Sequence, residues 1–550
     1  MMFDETYDLV VVGTGAAGFA TALGAVDEGL SVLLLESAAT WGGNSAMSGG
    51  GMWLPDNPVM RRDRVADSRE EALSYLEATV GQAGHATSAA RHEAFVDGVA
   101  DFVATSERHG MRLVRAPDYA DYYPERPGGK IGRGLEHAPF DVKRIGAWWS
   151  SCQAPAALPV KTDDVWLLGR AWSTPTGFAR GTRLVARTAG SLAKRQRLAG
   201  IGAGLMASFL DVVVNRHGAT LWLGSPLQDL VVEDARVVGV RTTRHGQDVS
   251  IGARRGVMLA GGGFDANVDW RQKHHGIDGS PSGAASNLGG PIEIATANGA
   301  ATELMDDAWW GASVAPSSAS GPAFLVGERS FPFSMIVDAD GHRFANESES
   351  YVDLGHHMLE HDKDGAYWLI ADRRHAWRYL RSYAMDPRAV KAMKAEGVMV
   401  KADSVRDLAD RIDIDPAVLT ATVERFNGFA RCGVDGDFGR GNSAYDRYYS
   451  DPLVRPNPNL GPIEKGPFTA VRLVIGDLGT KGGVLTDAES RVLREDLSVI
   501  DGLYAAGNCS ASMMGRTYPG PGSTIGPAVV FGLRAARQMA VAPARTTATA

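Results

Sequence analysis

The stretch Tyr7–Ser37, YDLVVVGTGAAGFATALGAVDEGLSVLLLES, decides the fold at the amino-terminal side of this 550-residue chain. Leu9 to Val12 form an apolar run of strand type, and Gly13-Thr14-Gly15-Ala16-Ala17-Gly18 follows at once. An Ala-rich helical segment comes next, and a second apolar run, Val32 to Leu35, ends at Glu36 and Ser37. Strand, glycine turn, helix and strand make one βαβ unit. Gly13 suits the tight turn, Gly15 lets backbone approach a pyrophosphate, and Gly18 lets the helix lie close to the sheet. The helix start at Ala16 and Ala17 offers N–H groups and the positive end of a helix dipole. Glu36 stands eighteen residues beyond Gly18, where an acid can hold ribose hydroxyls. A bare GxGxxG also marks ordinary turns. Its place between a strand and a helix, with an acid closing the second strand, points to a bound dinucleotide.

At this length two or more domains are expected. Apolar residues at 44% and charged residues at 22% describe an ordinary globular protein. A formal net charge of -8 argues against nucleic acid as the partner, because phosphate binding asks for a basic face. Cys152, Cys432 and Cys509 have neither CxxC spacing nor a histidine cluster beside them, so no metal site or disulfide framework is implied and a reducing, cytoplasmic setting fits. The first residues carry Asp4 and Glu5 instead of a basic leader, and no uncharged apolar run is long enough to span a bilayer.

After Glu36 comes TWGGNSAMSGGGMWLP, residues 40 to 55. A loop so poor in side chains lets backbone pass along a long ligand; Gly42, Gly43, Asn44, Ser45, Ser48, Gly49 and Gly50 are its contact candidates. A flexible surface loop is the plainer alternative. Residues 116 to 129 concentrate Tyr119, Tyr122 and Tyr123 between prolines and glycines, as a packed aromatic lid would. Between Trp172 and Arg197 the chain is irregularly basic, with Arg180, Arg183, Arg187, Lys194, Arg195 and Arg197 among Phe178, Leu184, Val185 and Leu192. A solvated face is one reading of residues 178–197, and a peripheral contact with anionic membrane is the other.

Residues 219 to 263 read as a β-meander returning to a strand that ends in Gly261-Gly262-Gly263, which completes a Rossmann-like domain of FAD type; Gly262 is a cofactor candidate. Beyond about residue 275 the composition shifts. A hairpin is expected in SMIVDADGHRF around Asp340-Gly341. A helix is expected from Asp415 as N-cap and Pro416 onward, with Leu419, Val423, Phe426 and Ala430 on its buried face. The proline-rich stretch 452 to 467 reads as the crossing back. GLYAAGNCSASMMGRTYPGPGSTIG, from residue 502, then gives a strand ending at Gly507-Asn508, a Gly/Pro loop and a helix starting near Ser523 and Ile525, whose N-terminus suits the electron-rich end of a reduced flavin. The fold class is α/β: a Rossmann-like FAD-binding domain in two parts, 1–275 and 463–540, an inserted α+β catalytic domain, 276–462, and a disordered tail, 541–550.

Taken together, GTGAAG with Glu36, GGNSAMSGGG, LAGGGF, DAWW, NESESY, DLGTKGG, LYAAGN and TYPGPGSTIG resemble the 3-ketosteroid Δ1-dehydrogenases, in the flavoprotein superfamily of fumarate reductases and succinate dehydrogenase. The resemblance runs from about residue 5 to 540. It implies an FAD enzyme that removes hydrogens from C1 and C2 of a 3-ketosteroid, with an unidentified electron acceptor. It implies that the Tyr518 hydroxyl and the Gly522 N–H polarise the C3 carbonyl, that Tyr351 takes the C2 proton, and that hydride from C1 goes to flavin N5. Tyr122 is implied as the hydroxyl that assists Tyr351, and Tyr123 stays open because DYY allows a one-residue shift. Relatives with covalent flavin carry a histidine near Asn44-Ser45-Ala46-Met47; its absence implies non-covalent FAD. The segment SNLGGPIEIA near 286 departs from the superfamily by lacking GDG. A fumarate-reductase-like enzyme, a dehydrogenase acting at C4–C5, and a flavin-binding sensor without turnover are the alternatives.

Overall fold

A computed structural model gives the structure of the protein and describes residues 2–544. Strand Glu5–Val12 pairs in parallel with Val32–Leu35, Val10 opposite Leu33, and with Gln247–Leu259, Val11 opposite Met258. Its residues alternate between two apolar layers. Leu9 and Val11 join one core with Leu34, while Val10 and Val12 join the other with Leu33, Val257 and Ile292. A strand apolar on both faces is what a covered parallel sheet requires. Helix Ala16–Asp27 lies against the carboxy-terminal helix Ile525–Val541, and the contact is close because a Cβ on Gly24 would stand only 2.7 Å from Ala536 Cβ.

This first sheet has eight strands. Thr220–Trp222 extends it beyond Val32–Leu35, and on the other side Val499–Ala505 pairs in parallel with Gln247–Leu259. Leu227–Glu233, Arg236–Arg244 and Gln247–Leu259 form the expected meander, with Arg236–Arg244 antiparallel to both of the others.

The second sheet has seven strands around Phe468–Thr480. That strand runs antiparallel to Ala308–Val314, Gly311 opposite Gly476, and to Tyr367–Ala371, Ile370 opposite Ala470. Residues 463–540 were expected to return to the first domain, but the ladder holds 468–480 in the second sheet. Pairing across such distances in sequence leaves no local pattern to read. We therefore propose the division at about residue 275 with a return after Thr480.

The turn at Asp340-Gly341 forms, with Gly341 at φ 88° and the Asp338 carboxylate accepting from the N–H groups of Asp340 and His342. The expected hairpin does not. Ser334–Val337 pairs with Tyr367–Ala371, and the chain after the turn leaves the sheet because Arg343 is held by Glu347 at 2.8 Å and Asp435 at 2.9 Å, all three buried. The helix Pro416–Cys432 has the expected cap, with Asp415 accepting from Ala417 N at 2.7 Å, and the expected buried face. Val541, placed by expectation in a disordered tail, closes the last helix; residues 545–550 of that tail lie outside the described residues. Among the described residues no helix is long and apolar enough to cross a membrane.

Candidate active site

The glycine turn is built by Glu36. Its carboxylate accepts from Thr14 N at 3.1 Å and Thr14 Oγ1 at 2.5 Å, and from Ala38 N at 3.0 Å. These bonds fix the turn that leads into the helix at Ala16. Gly13 has φ 104°, and a Cβ there would sit 2.3 Å from the carbonyl oxygen of Ala260; only glycine fits. Gly18 meets the same turn from the helix, where a Cβ would lie 2.0 Å from Gly13 O.

A cavity of about 680 Å³ starts at this turn and continues into the contact between the two sheets. At one end it is lined by Gly13, Gly15, Ala16, Ala17, Glu36 and Ser37, and along its length by Gly43, Asn44, Ser45, Ser48, Gly49, Gly50, Gly262, Gly507, Asn508 and Ile525. At the other end stand Tyr122, Tyr351, Tyr518 and Gly522. Three expected contact residues lie behind this wall instead of in it. Gly18 packs under the turn; Gly42 donates its N–H to Thr14 Oγ1 at 3.0 Å; Ser523 bonds both ways with the backbone of Gly520 and leads the last helix, which begins at Ile525. Each supports a lining residue from behind.

The residues present fit a flavin dinucleotide. Backbone from glycine-rich segments lines most of the length, a helix of twelve residues starts at the dinucleotide turn, and the buried polar atoms Asn44 Nδ2 and Ser282 Oγ, both on lining residues, have no hydrogen-bond partner within the chain. A buried polar group left so costs about 1–3 kcal/mol, and a polar ligand would relieve it. The segment lacking GDG still reaches the cavity, through Ser286 to Pro291.

The tyrosine end is assembled from three places in the chain. Tyr351 is the first residue of helix Tyr351–Asp362. Tyr518 sits in the returning loop, which is anchored where Tyr75 Oη and Tyr122 N both donate to Pro519 O, at 2.6 and 2.9 Å. Ring centroids of Tyr351 and Tyr122 each lie 5.1 Å from that of Tyr518, and Tyr122 is 5.5 Å from Tyr351. Gly522 has φ 92°, and a Cβ there would lie 2.2 Å from Gly51 O. Trp309 closes the side at 5.2 Å from Tyr518, and Phe324 at 5.3 Å from Tyr351.

Burial holds the phenols of Tyr351 and Tyr122 well above the ordinary tyrosine value of 10. For Tyr351 the neighbouring Tyr122 and Tyr518 add to the effect, including a side-chain hydrogen bond with Tyr518; for Tyr122 the neighbours are Tyr119, Tyr445 and Tyr518. Against burial works the helix that starts at Tyr351, since its positive end favours an anion at this position. Tyr123, the alternative partner, turns away and donates to Asp353 Oδ1 at 2.9 Å.

Sequence reasoning placed Tyr119 in an aromatic lid without giving it a place in the site, and missed Tyr445 and Tyr449 altogether. Tyr119 lines the cavity, its hydroxyl lies 3.4 Å from that of Tyr122 and is hydrogen-bonded to Tyr449, and Tyr445 packs 4.2 Å from Tyr122. The signal was present as Tyr445, Tyr448 and Tyr449 within five residues. Phe324 and Val326, also lining, had no motif to mark them. Among the described residues no Arg, Lys or His lines the cavity.

Comparison with known proteins agrees with this geometry. Residues 8–525 match the FAD binding domain family. The 3-oxosteroid 1-dehydrogenase of Mycolicibacterium smegmatis is 42% identical, with 99% of each chain covered, and that of Mycobacterium tuberculosis strain H37Rv is 41% identical, with 98% of each covered. The crystal structure of 3-ketosteroid delta1-dehydrogenase from Sterolibacterium denitrificans, in complex with 1,4-androstadiene-3,17-dione, is 34% identical. It superposes with a TM-score of 0.91, covering 98% of this chain and 99% of that one.

Proposed function

The chain belongs to the FAD binding domain family and, within it, to the 3-oxosteroid 1-dehydrogenases, and we propose on that premise how its residues carry the reaction. It is an FAD-dependent oxidoreductase that desaturates the C1–C2 bond of 3-ketosteroids. One hydrogen leaves C2 as a proton, the other leaves C1 as hydride with its electron pair, and the C1=C2 double bond forms. Bound FAD supplies the hydride acceptor.

The C–H at C2 becomes acidic when the C3 carbonyl is polarised. The Tyr518 hydroxyl and the Gly522 N–H are the donors at that oxygen, a pairing supported by their common position on the cavity wall. Tyr351 takes the C2 proton. Burial favours its neutral phenol, so it acts within a relay: as it accepts the C2 proton its own proton passes to Tyr122, and Tyr122 passes its own through Tyr119, whose hydroxyl lies 3.4 Å away, out to water. Tyr122 is our choice for the assisting residue over Tyr123, because Tyr122 lines the cavity and Tyr123 is engaged by Asp353. The flavin is held without a covalent bond, for Asn44 to Met47 offer no histidine.

One observation carries the reading: a single cavity joins the dinucleotide turn to four tyrosines and has no Arg, Lys or His among its described lining residues. A dicarboxylate site needs fixed cations, so a neutral, apolar substrate fits and fumarate does not. Turnover with a 4-ene-3-ketosteroid and an artificial electron acceptor tests it. The expected product is the 1,4-diene-3-one; dye left oxidised would support a flavin sensor, and, with a 3-ketosteroid saturated in ring A as substrate, a new double bond at C4–C5 instead of C1–C2 would support the sister activity.

We further propose that helix Pro175–Ala193 meets an anionic membrane peripherally. Trp172, Phe178, Val185 and Leu192 are 60 to 71% exposed, and the last three follow each other at seven-residue steps on one face. Arg183, Lys194 and Arg195 are exposed beside them, and no acid occurs from residue 165 to 210. Apolar anchors flanked by cations suit a lipid surface. Sedimentation with anionic vesicles at low salt is the test, and protein left in the supernatant ends the idea.

A further inference from the structure

Behind the cavity wall lies a buried acid that the reaction does not use. Asp265 is fully buried. Its Oδ1 accepts from Asn287 Nδ2 at 3.0 Å, and its Oδ2 has no partner. That oxygen is turned toward Gly283 in the cavity wall, where an added Cβ would stand 1.9 Å from Asp265 Oδ2 and 2.7 Å from Asn44 Nδ2. The carboxylate and the lining Asn44 amide therefore face each other beside the bare backbone of Gly283, and the amide draws the acid's pKa down against its burial.

On its far side Asp265 faces a second acid and one cation. Arg271 Nη1 holds Asp477 Oδ2 at 2.7 Å, both side chains fully buried, and reaches the main-chain oxygen of Asp265 at 3.4 Å. Asp477 also accepts from Gly479 N at 2.9 Å. One guanidinium thus serves two carboxylates closed off from water, and it is spent on Asp477. An unpaired buried charge costs several kcal/mol, so the group takes up a proton instead. Burial first, and then the charge of Asp477, hold Asp265 well above the ordinary carboxylate range.

FAD brings a diphosphate with two negative charges into this one cavity, and no lining Arg, Lys or His among the described residues offsets them. We propose that Asp265 is a proton-linked latch for the cofactor, neutral while FAD is bound, and that FAD is released as this proton is lost. One proton passes from water to Asp265 Oδ2 on binding and returns on release; no bond to the cofactor forms or breaks.

The sign follows from linkage. Bound FAD favours the neutral acid, so it raises Asp265 beyond its value in the FAD-free protein; retention is full below that lower value and declines as pH rises through the higher one. The proposal rests on the non-covalent FAD reading given above.

The test is the rate of flavin fluorescence appearing on release from the full-length holoenzyme, between about pH 6 and about pH 9. The wild type should release faster with rising pH, approaching tenfold per pH unit for one linked proton. Asp265→Asn should release slowly with a flat profile. A flat wild-type profile overturns the latch whether or not the variant folds, and so does an Asp265→Asn profile that still rises. Flavin that stays on the polypeptide after acid precipitation overturns the non-covalent reading and the latch together.

Discussion

The rings of Tyr351 and Tyr518 stand 5.1 Å apart, centroid to centroid, one at the first turn of a helix in the second domain and the other in the loop that leads back to the first. The pair exists only because segments far apart in sequence meet over one cavity. In the mechanism proposed above, this pair would set a donor to the carbonyl and an acceptor for the neighbouring proton on one ring of substrate.

Tyr518→Phe removes a donor and little volume. We expect turnover to fall by about 10²–10³, the usual cost of a lost oxyanion donor, with the flavin spectrum and FAD content unchanged. Steady-state kinetics beside absorbance at the flavin band checks both halves of this expectation.

Tyr122→Phe and Tyr123→Phe should separate. The first should lower turnover and shift its pH profile. The second should leave turnover near wild type but destabilise the protein by about 1–3 kcal/mol, since Asp353 loses the partner it has at 2.9 Å. Equal kinetic losses in both would return the assignment to an open state between them.

Gly522→Ala should be a poor substitution. At φ 92° and with Gly51 O only 2.2 Å from the added carbon, the loop must move, and strain of about 1–3 kcal/mol at a left-handed position is expected on top of the clash. Loss of steroid-dependent turnover with a lower melting temperature is the outcome; an unaffected kcat would remove Gly522 from the site.

Asp307 supplies a pH test of stability. It is 3.2 Å from buried Lys481 and 2.8 Å from His356. Burial raises its pKa, but Lys481 and His356 outweigh that and hold it at about 2, below its ordinary 3.8. A depressed carboxylate stabilises above the unfolded value and loses that stability as pH falls toward the folded one. Asp307→Asn should cost about 3–5 kcal/mol at neutral pH by stranding Lys481, and the gap in melting temperature to wild type should narrow below about pH 4. A gap that does not change with pH would contradict the pairing.

Much of this molecule could be read before folding it. GTGAAG and Glu36 are local signals, and so are the Asp415-Pro416 cap and the TYPGPG loop, because each is set by residues close in sequence. The tyrosines of the site were readable only through motif resemblance, since nothing local brings residues 122, 351 and 518 together. What stayed hidden depends on distant partners. Strand 468–480 is apolar enough for either sheet, and only pairing with Ala308–Val314 decides. The return arm after Asp340-Gly341 is pulled off by Glu347 and Asp435. Gly18, Gly42 and Ser523 belong to the right motifs but carry them from behind, a distinction made by side-chain direction and not by spacing.

The account rests on Tyr351 acting on the substrate and not on the cofactor. The most direct measurement mixes wild type and Tyr351→Phe with excess 4-ene-3-ketosteroid without oxygen and follows bleaching of the flavin band. We predict that wild type bleaches within a single turnover, while the variant, with FAD bound and its oxidised spectrum intact, bleaches about 10²–10⁴ times more slowly. Bleaching of the variant at the wild-type rate would contradict the account.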